Sequence, residues 1–216
     1  MSWRIIVVGG HTRSIGKTQL VCDLISSFPQ ADWVAGKITQ YGHGVCAQNG
    51  QDCDCAPDEH ICAISWERQP NNTDSGRFLA AGAQRSFWLR TKQGFLAEGL
   101  PLLRQALREI DGGSETAPRN LILESNTLLQ FLKPSLYLMV LDPGKSDFKD
   151  SARLQLDRAS AFVLRAPISN GDAPSAFIAP KFQSVPQFLQ REGEPLPAKL
   201  LQRVESALAI SEGSAL

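Results

Sequence analysis

The sequence predicts an α/β protein: a three-layer P-loop NTPase fold on a mostly parallel sheet, with a cysteine-rich insertion loop. Three observations predict it. Apolar strand-like runs alternate with helical patterns along most of the chain. The first run leads through a glycine-rich turn into Gly16-Lys17-Thr18 and a helix. A polar stretch rich in cysteine then interrupts the alternation after the second strand.

The 216 residues suit one domain spanning 1–216. Residues 40–72 form the Cys/His-rich insertion, and 167–216 a less regular C-terminal extension. Acidic and basic residues balance at 22 each, so no net charge argues for nucleic acid or a membrane surface. No apolar run approaches the roughly 20 residues that span a bilayer. The N-terminus carries no signal-peptide pattern, and the expectation is a cytoplasmic protein with reduced thiols.

In the stretch Trp3–Thr18, Ile5-Ile6-Val7-Val8 is apolar without alternation, as in a strand covered on both faces. Gly9-Gly10 break it. After Gly16-Lys17-Thr18, Leu20, Val21, Leu24 and Ile25 recur at helical spacing. Backbone N–H groups around Ser14, Ile15, Gly16 and Lys17 can meet phosphate oxygens at a helix N-terminus. Lys17 supplies a mobile charge to the β/γ-phosphates, Thr18 a hydroxyl ligand for Mg²⁺, and Gln19 extends the nucleotide end of the helix. Five residues separate Gly10 from Gly16, where the usual spacing has four, so His11 falls at the customary first glycine.

Trp33–Thr39 reads as a second strand whose end carries Lys37, near the loop if the sheet is parallel. Thr73-Asp74-Ser75 is an N-cap signal for a helix from Ser75 to about Gln84. Arg77 stands one turn on, as a surface partner of Asp74 or an anion ligand. Ser86–Arg90 reads as a short strand, and Phe95 to Ile110 as an amphipathic helix. Asn120–Asn126 and Leu136–Asp142 are buried strands ending in the acids Glu124 and Asp142. Glu124 stands where a Walker B carboxylate holds Mg²⁺ or its water. Lys149–Arg158 reads as a helix, Ala161–Arg165 and Ser175–Ala179 as strands, and Lys199–Ile210 as a terminal helix. Trp3, Trp33 and Trp88 read as core.

Cys22 reads as a small buried apolar residue. The other four thiols, Cys46, Cys53, Cys55 and Cys62, lie close together with His43 and His60 beside them. In a reducing compartment such a cluster points to metal before disulfides. Four thiolates satisfy tetrahedral Zn²⁺ and equally an iron–sulfur cluster. Bound metal would also order so polar a loop.

Four stretches together resemble the MobB family, the molybdopterin-guanine dinucleotide biosynthesis adaptor GTPases, within the class of P-loop proteins that includes dethiobiotin synthetase. They are GGHTRSIGKT, GKITQYGHG, DSGRFLAAGA and LILESN. The resemblance covers roughly residues 1–165. It implies that Lys17 and Thr18 bind phosphate and Mg²⁺, that Glu124 is the Mg²⁺-linked acid, and that Lys37 and Asp74 face the phosphate end. It also implies a homodimer. Three features depart from the family: the longer loop, Ser125-Asn126 where Gly and Phe are usual after the acid, and the cysteine cluster. No Asn-Lys-x-Asp motif for guanine occurs, so GTP and ATP both stay open.

Three functions follow as expectations. One is Mg²⁺-dependent GTP or ATP binding and slow hydrolysis that assists a cofactor or metal pathway, with a protein partner there. Another is an ATP-dependent ligase or transferase of the dethiobiotin synthetase type. The third is a metal-binding regulatory module with an incidental nucleotide site. Lys17 and Glu124 are the expected catalytic residues.

Overall fold

The computed structural model describes residues 3–42, 61–111, 119–165 and 182–209. Its centre is β1 (Trp3–Gly10), flanked in parallel by β5 (Arg119–Glu124) and β6 (Leu136–Leu141). Beyond β5 lie β2 (Val34–Tyr41) and β4 (Arg85–Lys92), both parallel. Beyond β6 lie β7 (Ala161–Arg165) and β8 (Gln187–Gln190), parallel again. Among the described residues the eight-stranded order is β3-β4-β2-β5-β1-β6-β7-β8, and of these strands β3 (Cys62–Trp66) alone runs antiparallel.

Two apolar layers cover this sheet, as the unbroken run at β1 requires. Ile6 and Val8 point to one face, where Leu20, Val21, Leu24 and Ile25 of α1 (Lys17–Ser27) meet Leu200 and Val204 of α5 (Ala198–Ala209). Ile5 and Val7 point to the other, against Leu96, Leu103 and Leu107 of α3 (Leu96–Asp111). Alternate residues of one strand thus feed two cores, the signature of a parallel sheet buried on both faces. This is the three-layer α/β arrangement expected, with the strand–loop–helix order of a P-loop NTPase. Among the described residues, no helix is long and apolar enough to cross a membrane.

Three local differences have physical causes. The segment read as a helix over Lys149–Arg158 is a single turn, α4 (Asp150–Arg153), followed by a 3₁₀ turn at Leu156–Arg158. The Arg158 guanidinium donates to the Leu129 carbonyl and to Gln155 Oε1, tying the segment to its neighbour instead of extending it. The helix after Thr73 is α2 (Asp74–Ala80), and it closes at Gly82, whose φ of 108° ends a helix readily. Strand β3 falls inside the stretch read as an insertion, with Trp66 edge-on to Phe87 at 5.3 Å. The strand expected at Ser175–Ala179 lies outside the described residues, as do His43, Cys46, Cys53, Cys55 and His60.

Candidate functional site

A cavity of about 1210 Å³ opens at the carboxyl ends of the parallel strands. Ligands gather at this edge of an open α/β sheet. The loop between β1 and α1 forms its floor.

The fit of that loop begins at Gly10. A Cβ there would fall 2.6 Å from Ile15 Cδ1 and 2.9 Å from Lys17 Cδ, so a larger residue would push these two loop side chains aside. Asn126, just past β5, fastens the same residue twice. Its Oδ1 accepts from Gly10 N and its Nδ2 donates to Gly10 O, each at 2.8 Å. His11 explains the extra residue. It is fully buried, continues the pairing to β6 through His11 N to Val140 O at 3.2 Å, and lays its ring on Phe148. Its Nδ1 accepts from Asp142 N at 3.4 Å. Burial keeps its pKa below the ordinary histidine value.

The loop carbonyls are nearly all engaged. Lys17 Nζ donates to Thr12 O at 2.8 Å. Lys145 Nζ reaches Ser14 O at 3.0 Å and Arg13 O at 3.5 Å. Arg165 Nη2 donates to Gly16 O at 2.9 Å, and Lys149 N to His11 O at 2.8 Å. Among the described residues, the backbone N–H groups of Ser14, Ile15 and Gly16 have no acceptor. Ser14 and Gly16 both hold positive φ, 51° and 85°. Carbonyls bound to cations and amides left open are the arrangement by which a loop can receive an anion. Ile15 contributes through its backbone, because its side chain is buried in the core.

The second half of the site comes from register. Val8 pairs with Glu124 across β1 and β5, and Lys37 pairs with Glu124 across β2 and β5. Glu124 is 4% exposed, and its Oε2 accepts from Thr18 Oγ1 at 2.7 Å. Its Oε1 lies 3.4 Å from Lys37 Nζ, which also forms an ion pair with Asp74. Burial opposes the Lys37 ammonium, yet the Glu124 and Asp74 carboxylates outweigh it and hold its pKa above the ordinary lysine value. Lys17 goes the other way: burial lowers its pKa despite Glu124. Asp74 sits in the first turn of α2, which Thr73 caps by accepting from Gly76 N at 3.0 Å.

The structure thus brings together Ser14, Ile15, Gly16, Lys17, Thr18, Gln19, Lys37, Asp74 and Glu124 at one cavity edge, while Gly10 lies buried beneath the loop and does not line the cavity. Gln19 is exposed there and accepts from Arg77 Nη2 at 2.6 Å, so Arg77 serves Gln19 rather than Asp74. Asp142 lines the cavity and accepts from Gly144 N at 2.9 Å, a turn-forming role.

Of the expected thiol ligands only Cys62 is described. It opens β3 and its Sγ donates to Glu98 O at 3.6 Å. Among the described residues, no three His, Cys, Asp or Glu side chains form a group able to hold a metal ion. Cys22 is buried as expected, and burial pushes its thiol up to about 11.

Sequence reading did not single out Asn126, Lys145, Lys149 or Arg165. Arg165 ends β7, Asn126 follows β5, and Lys145 and Lys149 follow β6, so each stands at or after the carboxyl end of a legible strand, which is the signal that would have marked them.

No family model and no curated protein matches the chain. Among solved structures, HypB from Helicobacter pylori in complex with nickel aligns with it at 15% identity and a TM-score of 0.45. The alignment covers 96% of this chain and 86% of that one.

Proposed function

We propose that this chain is a MobB-like P-loop protein that binds GTP or ATP with Mg²⁺ and hydrolyses it slowly, assisting a cofactor or metal pathway. The convergence of Thr18 and Glu124 at 2.7 Å beside the open amides of Ser14–Gly16 carries this reading. An anion receptor and a hydroxyl–carboxylate pair side by side are what a Mg²⁺–nucleotide complex requires.

The residues fit the ion. Thr18 and Glu124 offer hard oxygen donors, and Asp74 faces them across the Lys37 ammonium. One or two carboxylates plus substrate phosphates is the usual Mg²⁺ complement. Bound there, Mg²⁺ would neutralise charge on the β- and γ-phosphates. Lys17 would leave the Thr12 carbonyl for the phosphates, and Lys37 would stand at the metal-side edge of the terminal phosphate. The work of the site is positioning and charge stabilisation by Lys17, Glu124 and the loop amides.

A second reading, an ATP-dependent ligase or transferase of the dethiobiotin synthetase type, is favoured by cavity size. The space exceeds the roughly 300–1,000 Å³ of common ligand pockets. It extends past Lys37 along Thr39, Gln40 and Gln93, a polar wall for a second substrate. The cysteine stretch remains proposed as a Zn²⁺ or iron–sulfur site through Cys46, Cys53, Cys55 and Cys62. On that reading the nucleotide site regulates a metal-binding module. A homodimer, a protein partner and a cytoplasmic setting belong to the MobB-like reading.

The deciding experiment titrates the protein with GTP and ATP, with and without Mg²⁺, beside Lys17→Ala. Binding of either nucleotide, strengthened by Mg²⁺ and lost in Lys17→Ala, supports the proposal. Binding of neither overturns it.

A further inference from the structure

Among the described residues, the cations around the loop are occupied with one exception. Lys145 holds the Ser14 and Arg13 carbonyls, Arg165 holds Gly16 O, and Lys37 is ion-paired with Asp74 and Glu124. Among the described residues, the Lys149 ammonium donates no hydrogen bond and forms no ion pair, although it is half-buried and lines the cavity. The charges acting on it are mostly positive: Lys17, Arg13 and Lys37 against the exposed Asp147. Asp147 is itself engaged by the Thr12 hydroxyl. A partly desolvated cation among cations is unfavourable unless an anion completes the set.

Its place along the loop says which anion. Lys149 N donates to His11 O, so the residue is pinned at the loop's first position. Arg165 marks the opposite end, at Gly16 and the start of α1. A phosphate chain lying along the loop has its inner groups at the α1 end and its outermost group near Lys149. Lys149 lines the same cavity as Lys17 and Lys37.

We propose that Lys149 grips the outermost phosphate of a bound nucleoside triphosphate and makes the site prefer a triphosphate to a diphosphate. This rests on the nucleotide-binding reading above. An ammonium is a compact charge with three donors, suited to a terminal dianionic phosphoryl group. The device is a second lysine in cis, carried by the segment after β6 and not by the P-loop motif.

The test compares wild type, Lys149→Gln and Lys149→Arg by calorimetric titration. The ligands are non-hydrolysable GTP and ATP analogues and the matching diphosphates, with Mg²⁺. The expected result is a triphosphate affinity about 10- to 100-fold weaker in Lys149→Gln, as for one lost charge-assisted contact. Diphosphate affinity should stay unchanged, which also shows that the variant is folded, and Lys149→Arg should recover most of the loss. Equal weakening for both ligands, or no weakening for the triphosphate, overturns the inference while leaving nucleotide binding intact. Wild type that binds no nucleotide overturns the parent reading and this one with it.

Discussion

Lys37 and Glu124 are register partners on β2 and β5, and their charged ends stand 3.4 Å apart at the rim of the cavity. Glu124 spends its other oxygen on Thr18, while Lys37 reaches on to Asp74. One carboxylate therefore links α1 to the second strand. Metal and terminal phosphate would both be sensed at this carboxylate.

Glu124→Gln keeps the shape of that link and removes its charge. A lost hydrogen bond to a charged group is worth about 1.5–3 kcal/mol. Nucleotide affinity measured in the presence of Mg²⁺ should fall roughly 10- to 100-fold, at that energy per contact. Affinity without Mg²⁺ should change much less. A drop of equal size with and without the ion would contradict the assignment of Glu124 to the metal.

Asn126→Ala removes both bonds that fasten Gly10. Two such bonds contribute about 1–3 kcal/mol together. For a chain of this size the melting temperature should drop by roughly 2–10 °C. Nucleotide affinity should weaken as well, because Gly10 underlies Ile15 and Lys17. Thermal melting and titration on the same sample check both effects.

Lys149 makes binding depend on pH. Burial first, then the Lys17 and Arg13 charges, lower its pKa from 10.5 to about 8, with Asp147 opposing and Lys37 adding to the fall. A bound phosphate restores the charged form. Between about 8 and 10.5 the free site is neutral and the occupied one protonated, so triphosphate binding should take up a proton. Affinity should decline as pH rises through about 8. The unliganded fold responds with the opposite sign. In that window the unfolded chain keeps the proton that the folded chain has lost, so this group's contribution to stability increases with pH. Calorimetry at pH near 9, in two buffers of different ionisation enthalpy, should show a larger proton uptake in wild type than in Lys149→Gln, where only Lys17, whose pKa burial also lowers, remains to take one up.

The cysteine stretch has its own readout. Purified protein should contain about one Zn²⁺ per chain, or show the visible absorption of an iron–sulfur cluster. Cys53→Ser with Cys55→Ser should abolish either signal. Protein that is colourless and metal-free, and unaltered by the double substitution, would remove the metal reading.

Local pattern made much of this legible. The unbroken apolar run at Ile5–Val8, the glycines after it and Gly16-Lys17-Thr18 are short-range signals, and they marked β1, the loop and α1. Glu124 and Lys37 were legible because each stands near the carboxyl end of a recognisable strand. Asn126, Lys145 and Arg165 were not, since their meaning lies in contacts to loop residues between 116 and 149 positions away. Strand β3 hid among polar neighbours, and β8 has only four residues, too few for a period to show. The short turn at α4 stayed hidden because the tie from Arg158 to Leu129 comes from a different part of the chain.

The engaged carbonyls of the β1–α1 loop bear on the speed of the proposed binding as well as its strength. Lys145 and Arg165 already hold three peptide oxygens, and Ser14 and Gly16 already have the left-handed backbone that the loop needs. Little of the loop is left to rearrange when an anion arrives. Encounter should then be a single fast step, accelerated by the surrounding positive charge and slowed by salt. Discrimination between ligands would appear chiefly in how long each one stays.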